Sequence, residues 1–304
     1  MKILITGGAG FIGSHIAEEI LKTKQNCKVV VYDNLTVGKK ENIPQGCVFI
    51  KGDIRDKKKL IEVMKDVDVV FHNAAFVSIR GSFERLQETL ETNFMGTLNV
   101  LEACVEADVK KIVFASSMDV YGEPQYIPVD EKHPLITRSP YGLSKINGEL
   151  LCKTFKENYG LDYVILRYFN TYGTRQTLSS YVGVTTIFIN KALNEKSLTV
   201  FGDGNQTRDY VWVKDVARAN ILAGFSDATG IFNVGSGQEL SVNQIADMVI
   251  KNLGGEKKYL DEPPGEIQRI SADIKKAKEI LGFQPKGKLE EKIPELIDWW
   301  KKNN

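Results

Sequence analysis

Two residues near the middle of the chain have the types and spacing for moving a proton on and off a hydroxyl. Tyr141 and Lys145, in Tyr141-Gly-Leu-Ser-Lys145, stand four apart. On a helix that spacing puts a phenol and an ammonium on one face, a turn apart. A free phenol, with a pKa of about 10, is a poor base at neutral pH. A fixed cation beside it favours the phenolate and brings it towards working pH. The site also needs a hydroxyl partner. Ser117, in Ser116-Ser-Met-Asp-Val-Tyr-Gly122, follows the apolar run Lys111–Ala115 and so stands at the carboxyl end of a strand. In a parallel sheet that is where substrates meet nucleotide cofactors. The plain alternatives are a solvated helix face for Tyr141 and Lys145, and a turn cap for Ser117. A nucleotide-binding loop elsewhere in the chain decides between them.

That loop opens the chain. Lys2–Thr6 is a short apolar strand, Gly7-Gly-Ala-Gly-Phe-Ile-Gly13 follows, and Ile16, Ala17, Ile20 and Leu21 then recur at helical spacing. Gly7, Gly10 and Gly13 permit a tight turn, close approach of a pyrophosphate and close helix packing. The helix N-terminus then offers N–H groups to phosphates. A second strand, Cys27–Tyr32, ends at Asp33, whose carboxylate accepts from an adenine ribose and repels a 2′-phosphate, predicting NAD rather than NADP.

The remaining elements must position these groups. Val48–Lys51 is a third strand before Gly52-Asp53-Ile54, Asp56–Met64 is helical, and Val67–His72 is a fourth strand leading to Asn73-Ala74-Ala75. Leu90–Ala107 is a long helix carrying Asn93, Lys111–Ala115 a fifth strand, Tyr141–Tyr159 a helix and Asp162–Arg167 a strand. This alternation predicts an α/β fold, a doubly wound parallel Rossmann sheet, over residues 1–173. From Thr174 the elements shorten and predict a smaller C-terminal α/β substrate-binding lobe over 174–304. It holds helix Val184–Leu193, strand Leu198–Phe201, strand Arg208–Val213 and helix Lys214–Phe225. The segment around 231–236 returns to the main sheet. Ser241–Gln244 has capping-box spacing, Asp261–Gly265 is a rigid loop, Asp273 caps a helix, and Pro294 opens a last helix at its first position.

Charge is balanced, 40 Lys and Arg against 39 Asp and Glu, with no basic stripe for nucleic acid and no apolar run of membrane length. The opening runs directly into the glycine loop and leaves no room for a signal peptide. Cys27, Cys47, Cys104 and Cys152 lack metal or disulfide spacing and read as buried thiols of a cytoplasmic protein. The three scattered histidines, His15, His72 and His133, give no metal-site pattern.

The ordered motifs identify a family. Thr6-Gly-Gly-Ala-Gly-Phe-Ile-Gly-Ser14, Asp33-Asn-Leu35, Gly52-Asp-Ile-Arg-Asp56, His72-Asn-Ala-Ala75, Asn93 and Ser116-Ser117 come first. Val120-Tyr-Gly122, Tyr141-x-x-x-Lys145, Arg167-Tyr-Phe-Asn170, Gly204-x-x-x-Arg208-Asp-Tyr210 and Asn233-Val-Gly-Ser236 follow. Over nearly its whole length the chain resembles the extended short-chain dehydrogenase/reductases, within them the nucleotide-sugar enzymes grouped with UDP-glucose 4-epimerase. The resemblance implies NAD across Gly7–Gly13, with Asp33 on the adenosine ribose, Asp53 and Ile54 beside adenine and Lys145 on the nicotinamide ribose. It also puts Phe11, Ile12, Asn34, Ala74, Ala75, Asn93, Tyr141 and Tyr168 around the cofactor. Ser117 and Tyr141 would reach the sugar O4, with Tyr141 taking its proton as hydride leaves C4. The 4-keto sugar then turns over and takes the hydride back on its other face. Asn170 and Arg208 would hold the nucleotide diphosphate, and Phe201 belongs to the same substrate set. Ile270 would be a gate beside the sugar C2, and its modest size predicts that UDP-N-acetylglucosamine is accepted alongside UDP-glucose.

Two departures bear on the reaction. Where related 4,6-dehydratases carry an acidic pair, this chain has Met118-Asp119, and a thioether cannot protonate a leaving hydroxyl. Asp119 nevertheless keeps one carboxylate, which leaves decarboxylases and atypical dehydratases open. Pro263 stands where many epimerases carry an arginine for the diphosphate. The expectation is an NAD-dependent UDP-sugar 4-epimerase. The alternatives are a 4,6-dehydratase or UDP-glucuronate decarboxylase and, from another class, a non-catalytic NAD-sensing protein. By resemblance the chain pairs as a homodimer through Leu90–Ala107 and Tyr141–Tyr159.

Overall fold

Runs such as Ile3-Leu-Ile5 and Val29-Val-Val31 are apolar without alternation, so a strand made of them needs cover on both faces. The computed structural model, which describes residues 1–178, 182–261 and 267–303, provides that cover. Its central sheet is built from β1 (Lys2–Thr6), β2 (Lys28–Asp33), β3 (Val48–Lys51), β4 (Val69–His72), β5 (Lys111–Ser117), β6 (Asp162–Tyr168) and, after a long excursion, β10 (Gly230–Val234). All seven run parallel in the order β10-β6-β5-β4-β1-β2-β3. The sequence reverses direction beside β1, the switch point at which such sheets bind nucleotides.

Helices cover both faces. Ile3, Ile5, Val29, Val31, Phe71 and Val113 point into one layer with α1 (Phe11–Thr23) and α8 (Val213–Gly224). Leu4, Val30, Val70, Ile112 and Ile165 point into the other, against α2 (Lys57–Met64), α5 (Gly96–Glu106) and α6 (Pro140–Tyr159). Each such side chain, taken out of water, stabilises the fold by roughly 1.5–3 kcal/mol. Two short helices, α3 (Ile79–Glu84) and α4 (Leu86–Leu90), precede α5.

A third core lies beyond the carboxyl edge, around Tyr172, Phe188, Trp212, Ile245, Ile293 and Trp300. It joins α7 (Val184–Leu193), α9 (Val242–Leu253) and α11 (Leu289–Asn303), with α10 (Lys275–Leu281) packing instead on the main sheet's first layer. Strand β9 (Thr207–Trp212) pairs with β7 (Asn170–Tyr172), β11 (Glu239–Ser241) and β13 (Arg269–Ile270). β8 (Leu198–Phe201) pairs with β12 (Lys257–Leu260). Ser241 and Gln244 form the expected capping box on α9.

Several expectations need correction. Leu90–Ala107 is not one regular helix: a π-turn, Glu91–Met95, separates α4 from α5. It centres on Asn93, whose carbonyl takes the Thr97 hydroxyl (2.6 Å) while its side chain bridges the Phe76 backbone and Ser144. Pro294 lies inside α11, which begins at Leu289. Proline costs a helix one N–H donor, but Pro294 is solvent-exposed and the buried stripe Leu289, Ile293, Leu296, Ile297 and Trp300 carries the helix past it. Asp273 accepts from Lys275 N–H at 2.8 Å, although Ile274 is the residue at the cap position. Of the four cysteines, Cys104 and Cys152 are buried and Cys27 and Cys47 half-buried. Pro263 and Gly265 lie outside the described residues.

Candidate active site

The parallel register brings the carboxyl ends of β1, β4, β5 and β6 to one edge, and Ser117 pairs there with Tyr168. Helix α6 crosses beneath that edge. Ser139 caps it, its hydroxyl accepting Gly142 N–H at 2.9 Å, and Pro140 occupies the first turn, where its missing N–H costs nothing. The buried face of α6 then presents Tyr141, Lys145 and Glu149 at four-residue intervals. Lys145 Nζ donates to the Ala115 carbonyl (2.8 Å) on the strand that carries Ser117, and lies 5.7 Å from the centre of the Tyr141 ring. The structure thus brings Lys145 beside Tyr141 and fastens it to the strand that carries Ser117 two residues further on. Burial pulls the Lys145 ammonium down to about 8, partly opposed by the negative charge of Glu149.

Glu149 was not apparent as a site residue from the sequence. It is wholly buried and accepts two bonds from Arg167, 2.8 and 2.6 Å, and one from Ser116, 2.6 Å. Arg167 also donates to Tyr121, whose hydroxyl donates to Asn233. A signal existed: Glu149 continues the Tyr141–Lys145 spacing by one more turn, and an arginine, Arg167, directly follows the apolar run Val164-Ile-Leu166 inside the strand.

The glycine turn forms a cradle against the end of β4. Gly7 has φ +69°, and a Cβ there would sit 2.7 Å from Ala74 N. At Gly13 a Cβ would meet Gly7 O at 2.3 Å, so close packing of α1 on the turn requires glycine. Gly10 caps α1 without any side-chain bond, while Phe11 and Ile12 lead the helix half-buried. Asp33 stands at the end of β2, its two oxygens accepting from Ala9 N (3.0 Å) and Leu35 N (2.8 Å). Burial raises its pKa, and each oxygen keeps a lone pair for a further donor. Asn34 donates to Asp53 at 2.9 Å, and Arg55 grips both Asp53 oxygens, holding that carboxyl far below the usual range. Ile54 is buried beside Gly96, while Ala74 and Ala75 line the edge half-buried. The Tyr168 hydroxyl donates to Asn220 at 3.0 Å.

Two half-buried amides at this edge each have one buried atom without a partner, Asn73 Nδ2 and Asn170 Oδ1. Such orphans cost about 1–3 kcal/mol each and are relieved by a bound ligand. Together with the cradle at Gly7 and the open acceptors of Asp33 they fit a dinucleotide and a polar substrate lying side by side.

On the far side, Asn170 opens β7 and Arg208 lies on the neighbouring β9, its Nη1 donating to Thr207 O at 2.9 Å. Phe201 ends β8, exposed. Ile270 does not meet its expectation. It pairs with Arg208 in register, but its side chain is 0% exposed and enclosed by Val120, Tyr121, Phe169 and Ala272. Pairing on β9 turns it into that cluster, so it offers no surface to a sugar.

A doubly wound sheet with a glycine-turn dinucleotide cradle, and serine, tyrosine and lysine gathered at its carboxyl edge, defines a short-chain dehydrogenase/reductase of the extended type. A model of the NAD dependent epimerase/dehydratase family matches residues 3–235, and the chain belongs to that family, whose cofactor is NAD. It is 48% identical, over 99% of both chains, to a Methanocaldococcus jannaschii protein named "Putative UDP-glucose 4-epimerase". It is 37% identical to a UDP-N-acetyl-alpha-D-glucosaminuronate decarboxylase of Bacillus cytotoxicus, over 99% of this chain and 98% of that one. Among solved structures it is similar to the UDP-N-acetylglucosamine 4-epimerase of Methanobrevibacter ruminantium in complex with UDP-N-acetylmuramic acid. That match has 38% identity, covers 100% of this chain and 99% of the other, and has a TM-score of 0.94. The protein is therefore an enzyme of the UDP-sugar epimerase group.

Proposed function

We propose that the protein is an NAD-dependent UDP-sugar 4-epimerase interconverting UDP-glucose with UDP-galactose, and UDP-N-acetylglucosamine with UDP-N-acetylgalactosamine. The observation that carries this reading is the Lys145 ammonium, anchored on Ala115 O of the strand that carries Ser117 and held beside the Tyr141 ring. Bound NAD would supply a reversible hydride acceptor for the sugar C4. The chain's own part is proton handling and positioning. Lys145 favours the Tyr141 phenolate, which takes the proton of O4 and gives it back after the sugar has turned. Ser117 holds O4 by a hydrogen bond throughout. Gly7, Gly10, Phe11, Ile12 and Gly13 cradle the pyrophosphate, and Asp33 and Asn34 hold the adenosine ribose. Asp53, Ile54, Ala74, Ala75, Asn93 and Tyr168 complete the cofactor groove. Asn170, with its orphaned oxygen, Arg208 and Phe201 receive the nucleotide.

In this reading residues 1–173 form the NAD-binding domain and 174–304 mainly the substrate lobe. With Ile270 buried, acceptance of the N-acetylated pair draws its support from the Methanobrevibacter relative. A 4,6-dehydratase would need an acid at Met118, where a thioether stands. A decarboxylase shares the 4-keto step and has the Bacillus relative on its side. Pairing into a homodimer through the π-turn helix and α6 is supported by exposed Leu86, Met95, Leu143 and Leu150 on those helices, and light scattering reads it. The test of function is incubation of the purified protein with a panel of UDP- and dTDP-sugars, the products assigned by NMR and weighed by mass spectrometry. Epimerisation conserves mass. Loss of water or of carbon dioxide from any sugar, with no epimer formed, overturns the proposal.

A further inference from the structure

We propose that Asp119 is a positioning residue, the link that sets the spacing between Ser117 and Tyr141, and not an acid or base of the reaction. The inference rests on the reading above, in which those two side chains share one substrate hydroxyl. They come from different elements, Ser117 from β5 and Tyr141 from α6, and a long loop separates them. Side-chain reactions of this kind need the groups held to within about half an ångström, and a misplacement of ~1 Å costs about a hundredfold in rate.

Asp119 touches both elements. Its backbone N–H donates to Ser117 Oγ at 3.2 Å. Its carboxylate oxygen Oδ2 accepts from the hydroxyl of Ser139. Ser139 is the cap of α6, and its Oγ in turn accepts Gly142 N–H at 2.9 Å, one residue past Tyr141. A continuous chain of hydrogen bonds therefore runs from the Ser117 hydroxyl through Asp119 and Ser139 to the backbone that carries Tyr141. The carboxylate also faces Gly142 N–H and the Thr137 hydroxyl. The packing is tight: a Cβ on Gly142 would stand 2.0 Å from Thr137 Oγ1 and 2.6 Å from Asp119 Oδ2. Among the described residues, every side-chain or backbone donor to this carboxylate, from Thr137, Ser139 and Gly142, comes from the amino end of α6 or the loop leading into it. Its acceptor capacity is committed to holding the helix, which is a different task from exchanging a proton with a sugar.

The two roles separate on substitution. Asparagine keeps an acceptor oxygen for Ser139 and Gly142 but cannot act as an acid or base at neutral pH; alanine keeps neither property. The experiment uses the full chain with NAD and UDP-glucose, comparing Asp119→Asn, Asp119→Ala, Ser139→Ala and the double alanine variant. Asp119→Ala should lower kcat roughly 10- to 100-fold with KM changed less than about twofold, and Asp119→Asn should restore kcat to within about fivefold of the parent. Ser139→Ala, which cuts the same link from the other side, should match Asp119→Ala, and the double variant should be no worse than either by more than about twofold. The pH profile of Asp119→Asn should overlay that of the parent. A readout independent of turnover is the ultraviolet titration of the Tyr141 phenol, taken as the difference from Tyr141→Phe. It should move upward in Asp119→Ala, as the ring drifts from Lys145, and stay in place in Asp119→Asn.

An Asp119→Asn enzyme as slow as Asp119→Ala, with one limb of its pH profile lost, would make Asp119 an acid or base and overturn the proposal. So would an Asp119→Ala enzyme with parental kcat. Should Asp119→Ala fail to fold, Asp119→Asn and Ser139→Ala still decide. If the parent epimerises none of the UDP-sugars, the functional reading fails instead. The phenol titration then still reports on the link alone.

Discussion

Glu149→Gln and Glu149→Ala probe how the site keeps an ammonium charged where water cannot reach it. Lys145 is buried, which brings its pKa from the ordinary 10.5 to about 8, and the Glu149 charge is what pushes in the other direction. The Glu149 carboxylate is itself held by Arg167 at 2.8 and 2.6 Å and by Ser116 at 2.6 Å, with the Arg167 and Glu149 side chains 2% and 0% exposed. Alanine leaves the guanidinium buried with only the Tyr121 hydroxyl and the Glu131 carbonyl. Breaking one side of such a pair costs about 3–5 kcal/mol, against a total stability of roughly 5–15 kcal/mol. Glutamine keeps an acceptor for Arg167 and should cost less, about 1–3 kcal/mol. Removing the charge lets the Lys145 pKa fall below about 8, so the ammonium proposed to support the Tyr141 phenolate is lost at lower pH. The alkaline limb of kcat/KM should move to lower pH. The sign for stability follows from the same group. Its folded pKa lies below its unfolded one, so between about 8 and 10.5 the unfolded chain binds more protons and stability rises with pH across that window. In Glu149→Gln the window should open at lower pH. Denaturant unfolding from pH 6 to 10 and kcat/KM over the same range measure both effects. A glutamine variant with the parental alkaline limb would show that Glu149 does not set the charge of Lys145. An alanine variant with parental stability would refute the ion-pair argument.

Three further outcomes are expected. Asp33 should make the protein prefer NAD to NADP by at least ~10-fold in Kd, since like charges about 4 Å apart near a protein surface repel by a few kcal/mol. Equal or tighter NADP binding by calorimetry contradicts this. Tyr141→Phe keeps the ring and removes the proton acceptor, so turnover should fall by roughly two to four orders of magnitude while NAD binding persists on the glycine cradle. Near-parental turnover would remove Tyr141 from the role of base. Ile270→Tyr forces a larger side chain into a closed cluster, at about 1–3 kcal/mol, so the melting temperature should drop and activity on UDP-glucose and UDP-N-acetylglucosamine should fall together. Selective loss of the N-acetylated sugar alone would restore Ile270 as a gate.

The parts of the molecule that were legible in the sequence share a property: each carries its signal locally. Continuous apolar runs gave β1, β2 and β4, glycine spacing gave the cradle, and helix Val184–Leu193 and strand Leu198–Phe201 were placed to the residue. Strands of two or three residues, such as β7, β11 and β13, have no period to read and exist only because β9 offers them an edge. The π-turn at Glu91–Met95 was invisible for the same reason. It is stabilised by what Asn93 meets, the Phe76 backbone and Ser144, and not by the residues of its own segment. Ile270 failed because position in a motif does not tell which side of a strand faces the pocket. Pairing does.

The same distinction explains why the Tyr-x-x-x-Lys pair was found and its supports were not. A helix that packs on a sheet ordinarily buries an apolar stripe, yet the stripe of α6 reads Tyr141, Lys145, Glu149, with Ser144 and Cys152 alongside. Burying an ammonium and a carboxylate is expensive, and each is tolerated only through a partner from another element: Ala115 on β5 for Lys145, Arg167 on β6 for Glu149. Asp119 holds the amino end of the helix from the turn that follows Ser117. An apolar stripe would pack at least as well in several rotations and translations of the helix. A stripe of charges with fixed partners satisfies its hydrogen bonds in one. On the proposed reading the polar face of α6 does two things with the same residues, supplying the proton chemistry and fixing the helix in the position where that chemistry works. On that reading the residues around the reacting pair, and not the pair alone, should decide the rate, which is what the Glu149 and Asp119 variants measure.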